Sequence, residues 1–280
     1  MRRIHVNEIE EAVRRLILDT FSNLDELEER YRQALEREES ELGREVFKIL
    51  LENLEIARRR RIPVCQDTGV AVIYLRLGQE VELYGGSLYE AVNRGVARAY
   101  REAYLRKSLV SDPLFERRNT GDNTPAMIHL ELVPGSGIEL GFMPKGAGAE
   151  NMSRIEMLKP AEGIEGVKRL VLETVSRAGA NACPPLVIGV GIGGTLDVVG
   201  WLAKKALFRS WGERNPDPRY ARLEEELLEE VNRLGIGPQG FGGRITALDV
   251  RIEHLPCHMA SLPVAVNLNC HIHRVGWARL

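Results

Sequence analysis

The pattern of apolar residues changes character at Ile62-Pro63, and that change constrains the fold more than any other feature of the chain. Before it, Ile9, Val13, Leu16 and Ile17 recur at the spacing of one helix face. Val46, Ile49, Leu50, Leu54 and Ile56 repeat the pattern after Gly43. Four arginines, Arg58 to Arg61, close the stretch, and positive charge suits the C-terminal end of a helix dipole. Proline then pushes Ile62 out of helix. Residues 1–62 are expected to form a helical N-terminal region.

Beyond Pro63 short β-rich segments alternate with helical ones. The patterns predict strands over 70–77, 127–133, 138–143, 185–190, 245–254 and 263–269. They predict helices from Gly86 to about Ser108, over 163–178, and near 195–209 and 219–234. Pro-Gly-Ser-Gly between the second and third strands is turn chemistry. The fold class is α/β. Residues 63–280 are expected to form one continuous catalytic unit, possible as two packed subdomains in a chain of this length.

Composition removes several functions. A net charge of −2 argues against nucleic acid or an anionic membrane as the main partner. No apolar run approaches the ~20 residues of a membrane span. The opening residues, MRRIHVNEIEEAV, place charges where a signal peptide needs its apolar stretch, so the expected address is the cytoplasm. In that reducing compartment four cysteines, at 65, 183, 257 and 270, are too few and too dispersed for a disulfide scaffold.

Three of the cysteines sit at element boundaries. Cys65 lies in Pro-Val-Cys-Gln-Asp-Thr-Gly, Cys183 in Asn-Ala-Cys-Pro-Pro and Cys270 in Asn-Leu-Asn-Cys-His. Inert cysteines more often lie within apolar runs. Zinc favours closely paired ligands, and no such pair occurs; His254 and His258 share helical spacing but lie in a strand-to-loop pattern. Iron–sulfur clusters also accept dispersed thiolates. Spacing alone leaves buried structural thiols and a shared site both open. A reading of a different class comes from Gly189, Gly191 and Gly194, which match the dinucleotide fingerprint between a strand and a helix. The acidic residue that motif needs is absent from a strand end, since Glu213 lies in a loop-like segment.

Four ordered segments carry a family resemblance: residues 63–69, Lys-Gly-Ala-Gly-Ala-Glu-Asn at 145–151, residues 182–195, and 255–270. Together they resemble the class I fumarate hydratases of α-subunit type and the similar L(+)-tartrate dehydratase α-subunits. The resemblance covers nearly the whole chain and is weakest over the first forty residues. It implies a hydro-lyase that hydrates fumarate to malate in the tricarboxylic acid cycle, or acts on tartrate. It implies Cys65, Cys183 and Cys270 as ligands of a [4Fe–4S] cluster, leaving one iron without a protein ligand and Cys257 outside the set. It also implies that Asp67 and His258 serve catalysis, and that Gln66, Arg106, Gly146 and Gly148 bind a small dicarboxylate. The remaining groups are expected on a β-subunit, with αβ pairs associating as a dimer.

The residue types suit those roles. An open iron polarises a substrate carboxylate as a Lewis acid. A carboxylate such as Asp67 can help move a proton on carbon, and the Arg106 guanidinium matches two carboxylate oxygens at once. Taken singly, Asp67 also reads as a turn residue and Arg106 as a solvated helix end.

Overall fold

The helical periodicity of the first sixty residues resolves into three helices, α1 (Val6–Ser22), α2 (Asp25–Arg37) and α3 (Glu41–Arg60), in a computed structural model that describes all residues 1–280. A strand the pattern missed, β1 (Arg2–His5), precedes them. His5 caps α1: its Nδ1 accepts the Asn7 amide at 3.1 Å, and its own amide donates to Glu8 at 3.0 Å. The arginines at 58–61 are exposed at the end of α3. No helix is long and apolar enough to cross a membrane.

Contact density divides the chain into two units. The first comprises Met1–Leu24, Ile56–Ala147 and Arg274–Leu280, and the second Asp25–Glu55 and Gly148–His273. The 62/63 boundary read from the sequence thus falls inside the first unit.

In the first unit β2 (Val70–Gly78) is followed by β3 (Val81–Tyr84), α4 (Leu88–Glu102), β4 (Met127–Val133) and β5 (Ile138–Lys145). With β10 (Gly276–Arg279) they build a four-stranded sheet of order β10-β5-β2-β4, while β1 pairs with β3. β2 runs parallel to β4 and antiparallel to β5, with Val70 opposite Lys145. Ile73 and Leu75 of β2 point into a core shared with Ile9, Val13 and Ile17 of α1 and Val92 and Val96 of α4. α1 and α4 approach closely because Gly95 has no side chain; a Cβ there would lie 2.6 Å from the Glu10 carbonyl.

In the second unit a short helix, α5 (Ala147–Glu150), which starts one residue before it, leads into β6 (Arg154–Leu158), α6 (Gly163–Ala178) and β7 (Leu186–Gly194). They are followed by α7 (Leu196–Ala206), α8 (Pro218–Asn232), β8 (Ala247–Cys257) and β9 (Leu262–Asn269). The sheet order is β6-β9-β7-β8, with β7 parallel to β8 and antiparallel to β9. Alternation along β7 sends Ile188 and Val190 to a core with Leu170 and Val171 of α6 and Leu227 of α8. Each such fully buried branched side chain contributes roughly 1.5–3 kcal/mol.

The other face of β7 carries Gly189 and Gly191, and α7 lies on it. A Cβ on Gly189 would sit 2.0 Å from the Ala203 carbonyl oxygen, and one on Gly191 2.3 Å from that of Val199. These glycines let a helix backbone rest on a strand backbone. The space that a dinucleotide fingerprint would keep for a ligand is filled by the chain's own helix.

Candidate functional site

The first unit contributes the segment leading into β2. Gly69 takes φ +72° and lies against Lys145, where a Cβ would meet backbone at 2.7 Å. Only glycine fits there. This contact sets residues 65–68 beside the end of β5, and Asp67 fastens the two: Oδ1 accepts the Gly69 amide at 3.0 Å, and Oδ2 accepts the Ala147 amide at 3.2 Å. Gly146 passes the same carboxylate, with room for a Cβ only at 3.3 Å from Oδ2. Cys65 is half-buried, and its Sγ accepts the Asp67 amide at 3.4 Å; Gln66 beside it is exposed. Asp67 closes a turn and remains partly open to solvent. The turn reading and the functional reading are both compatible with one conformation.

Arg106 does not end a helix. α4 stops at Glu102, and Leu105 turns back to bond its amide to the Tyr100 carbonyl at 2.9 Å. Arg106 is exposed on the following loop, and its carbonyl accepts the Thr68 hydroxyl at 3.3 Å, so the Arg106 loop is tied to the Asp67 segment. Two further residues complete this support. Tyr100, fully buried, donates to the Thr68 and Gly69 carbonyls, each at 3.1 Å. Burial pushes its hydroxyl well above the ordinary tyrosine range, keeping it a neutral donor. Asn123, also fully buried and at φ +63°, donates to Gly69 and accepts the Ser108 amide at 2.7 Å. Sequence reading passed over both, because one lies on an apolar helix face and the other in a run of turn residues.

The second unit holds the other two expected thiol ligands at one end of its sheet. Cys183 lies just before β7 and Cys270 just after β9, and these strands are antiparallel neighbours, with Val187 opposite Asn269. The His271 amide donates to the Cys183 carbonyl at 3.0 Å, joining the two thiol-bearing segments. Cys183 is exposed and adopts φ 53°, ψ 66°, a left-handed conformation that costs a residue with a side chain roughly 1–3 kcal/mol. Such strain is held by its surroundings: the Cys183 amide bonds to Ala180, and the Pro184 carbonyl accepts both the backbone and the side-chain N–H of Gln239, at 2.7 and 2.6 Å. Gly148 belongs here as well, since a Cβ on it would lie 3.2 Å from the Asn181 carbonyl.

His258 is not brought to these thiols. It is exposed in the turn between β8 and β9, bonding its Nδ1 to the Ala260 amide at 3.1 Å. Cys270 lies at the far end of β9, about 25 Å away at ~3.3 Å per residue along the strand. Cys257 shares the His258 end, paired in register with Gly194. All four cysteines are thiols. No group of three or more His, Cys, Asp or Glu side chains is gathered tightly enough to hold a single metal ion.

The chain is thus an α/β protein whose first unit orients a carboxylate with two backbone amides and whose second unit sets two thiols at one end of its sheet. The model of the family described as fumarate hydratase (Fumerase) matches residues 10–279, and the chain belongs to that family. Among its relatives, a protein of Methanocaldococcus jannaschii provisionally named L(+)-tartrate dehydratase subunit alpha is 45% identical over 254 residues, covering 89% of this chain and 88% of the relative. L(+)-tartrate dehydratase subunit alpha of Escherichia coli strain UTI89 is 35% identical over 260 residues, 91% of this chain and 85% of the relative. The K12 counterpart is 34% identical over 256 residues, 90% and 84%.

Proposed function

We propose that this chain is the α-subunit of a hydro-lyase that adds or removes water on a four-carbon dicarboxylate, with Cys65, Cys183 and Cys270 holding a [4Fe–4S] cluster. The observation that carries the reading is the His271–Cys183 backbone bond, which sets two thiol-bearing strand ends side by side. The donor set suits the group. The thiols are partly or fully exposed, Cys65 Sγ already accepts an amide hydrogen, and no disulfide competes for them. Bound by three thiolates, such a cluster supplies an iron free to act as a Lewis acid toward substrate oxygen.

The chain's own residues supply its share of the remaining chemistry. Arg106, exposed on its tethered loop, pairs with a substrate carboxylate through its two-pronged guanidinium. The Gln66 amide orients the substrate, and the backbone at Gly146 and Gly148 leaves space for it. Asp67, oriented by the Gly69 and Ala147 amides, takes part in moving the proton on carbon, relayed through a hydroxyl of a β-subunit. The α-subunit names of the relatives support that pairing. His258 has no role beside Cys270 in this scheme.

The family description favours fumarate hydration, and dehydration of L(+)-tartrate is a second reading favoured by the relatives' names. The test is anaerobic reconstitution with iron and sulfide, with and without the β-subunit, and assay on malate, fumarate and both tartrate enantiomers. Expected are about four irons per chain and activity only in the pair. Full activity of the chain alone, or activity indifferent to air and chelators, overturns the reading. Cys257→Ser should retain the iron, whereas serine at Cys65, Cys183 or Cys270 should abolish it.

A further inference from the structure

Of residues 269–273 only Cys270 is more than marginally exposed; Asn269, His271, Ile272 and His273 are buried. The segment is gripped on both sides of the thiol. Behind it, Asn269 Nδ2 lies 2.7 Å from His273 Nδ1. Ahead of it, Tyr31 on α2 places its hydroxyl 2.6 Å from His271 Nδ1 and 3.1 Å from the His271 carbonyl oxygen. A phenol carries one proton. Both contacts contain a hydrogen when the hydroxyl donates to the carbonyl and Nδ1–H donates to the hydroxyl oxygen. The Tyr31 ring is completely buried, stacks on the imidazole at 6.1 Å between centroids, and meets Phe47 edge-on.

A buried tyrosine in a purely structural role needs only one partner for its hydroxyl. This hydroxyl directs both contacts at one residue, His271, and His271 is the residue that follows Cys270 and bonds to Cys183. We propose that Tyr31 is a positioning residue for the Cys183–Cys270 thiol pair, acting through His271. Tyr31 fixes the His271 ring and carbonyl, which fixes the His271 amide, and that amide holds the Cys183 segment against Cys270. Gln239 adds to the hold on the Cys183 segment through its two donations to Pro184. The purpose of this grip rests on the proposed thiolate site.

Tyr31→Phe keeps the ring and removes the hydroxyl. In the reduced chain without iron, alkylation by iodoacetamide followed at each cysteine by mass spectrometry reads the grip directly. Losing a net ~1 kcal/mol bond eases local opening, so the half-buried Cys270 should react about fivefold faster in the variant, with the exposed Cys257 unchanged. Phe47→Leu disturbs the same packing without touching the hydroxyl; it should lower the melting temperature and leave the Cys270 rate near wild type. His271→Ala, which removes the ring and keeps the amide, should raise the Cys270 rate. After anaerobic reconstitution, Tyr31→Phe should release iron to a chelator faster and show an altered paramagnetic resonance signal. Unchanged alkylation at Cys270 in both Tyr31→Phe and His271→Ala overturns the positioning role. A wild-type chain that takes up no iron sinks the cluster reading instead, and the alkylation rates still decide the role of Tyr31.

Discussion

The carbonyl oxygen of Val199 stands 2.3 Å from the point where a Cβ on Gly191 would have to be. The obstacle is helix backbone, which cannot rotate away as a side chain tip can. Gly191→Ala should therefore destabilise the chain by at least about 2–3 kcal/mol through overpacking. Urea unfolding would show this as a lower midpoint with an unchanged slope. Gly137→Ala, where the space is open, should stay within about 0.5 kcal/mol of wild type.

Glu38 should make stability depend on acid. It is buried, and burial pushes its pKa up, but the amides of Ile245, Ser40, Arg244 and Glu39 all donate to the carboxylate and bring the net shift down. A folded value below the unfolded one means its stabilisation is complete above about pH 4.5, and is lost as pH falls through the lowered folded value. Glu38→Gln, whose NH₂ cannot accept, should cost about 3 kcal/mol at neutral pH. The variant should also lose less of its remaining stability on acidification, measured by unfolding across neutral to about pH 3.

Asn123→Ala should damage activity as well as stability. It strips a partner from the Gly69 carbonyl and from the Ser108 amide, both part-buried or buried. Tyr100 still donates to the Gly69 carbonyl, so the group left unsatisfied is the Ser108 amide, at a cost of about 1–3 kcal/mol. Because Gly69 orients Asp67, turnover should fall more than substrate affinity does, a split visible in kcat against KM at a temperature where the variant is folded.

Arg106→Gln is the converse case. The side chain is exposed, so the melting temperature should hold within a degree or two. Loss of a two-pronged carboxylate contact should raise KM by roughly 10- to 100-fold in the reconstituted pair. A KM near wild type would remove Arg106 from the substrate site.

The sequence carried the fold class because the long elements have clean periods. β4 spans Met127–Val133 and α6 spans Gly163–Ala178, the very ranges the patterns predict. Short strands were hidden: β1, β3, β6 and β10 have four or five residues each, too few for alternation to stand out. β7 runs on through Gly194 because Gly189 and Gly191 are strand residues facing a helix, where local preference predicts a loop. At the site, the thiol loops announced themselves through Pro, Gly and Asn. Tyr31 did not, nor did Glu38 away from the site, since Tyr31 meets His271 across 240 positions and Glu38 meets Ile245 across 207. No local pattern records a partner so far away.

The order of the first unit's pieces along the chain has a consequence for biosynthesis. Its sheet needs β10, whose Gly276 pairs with Phe142 of β5 and whose Trp277 packs on Tyr74 of β2. The ribosome makes those residues only after all of 148–273 has been synthesised. At about 5–20 residues per second, the earlier strands wait on the order of ten seconds with the β5 edge uncovered. The unit that begins first is the one that closes last.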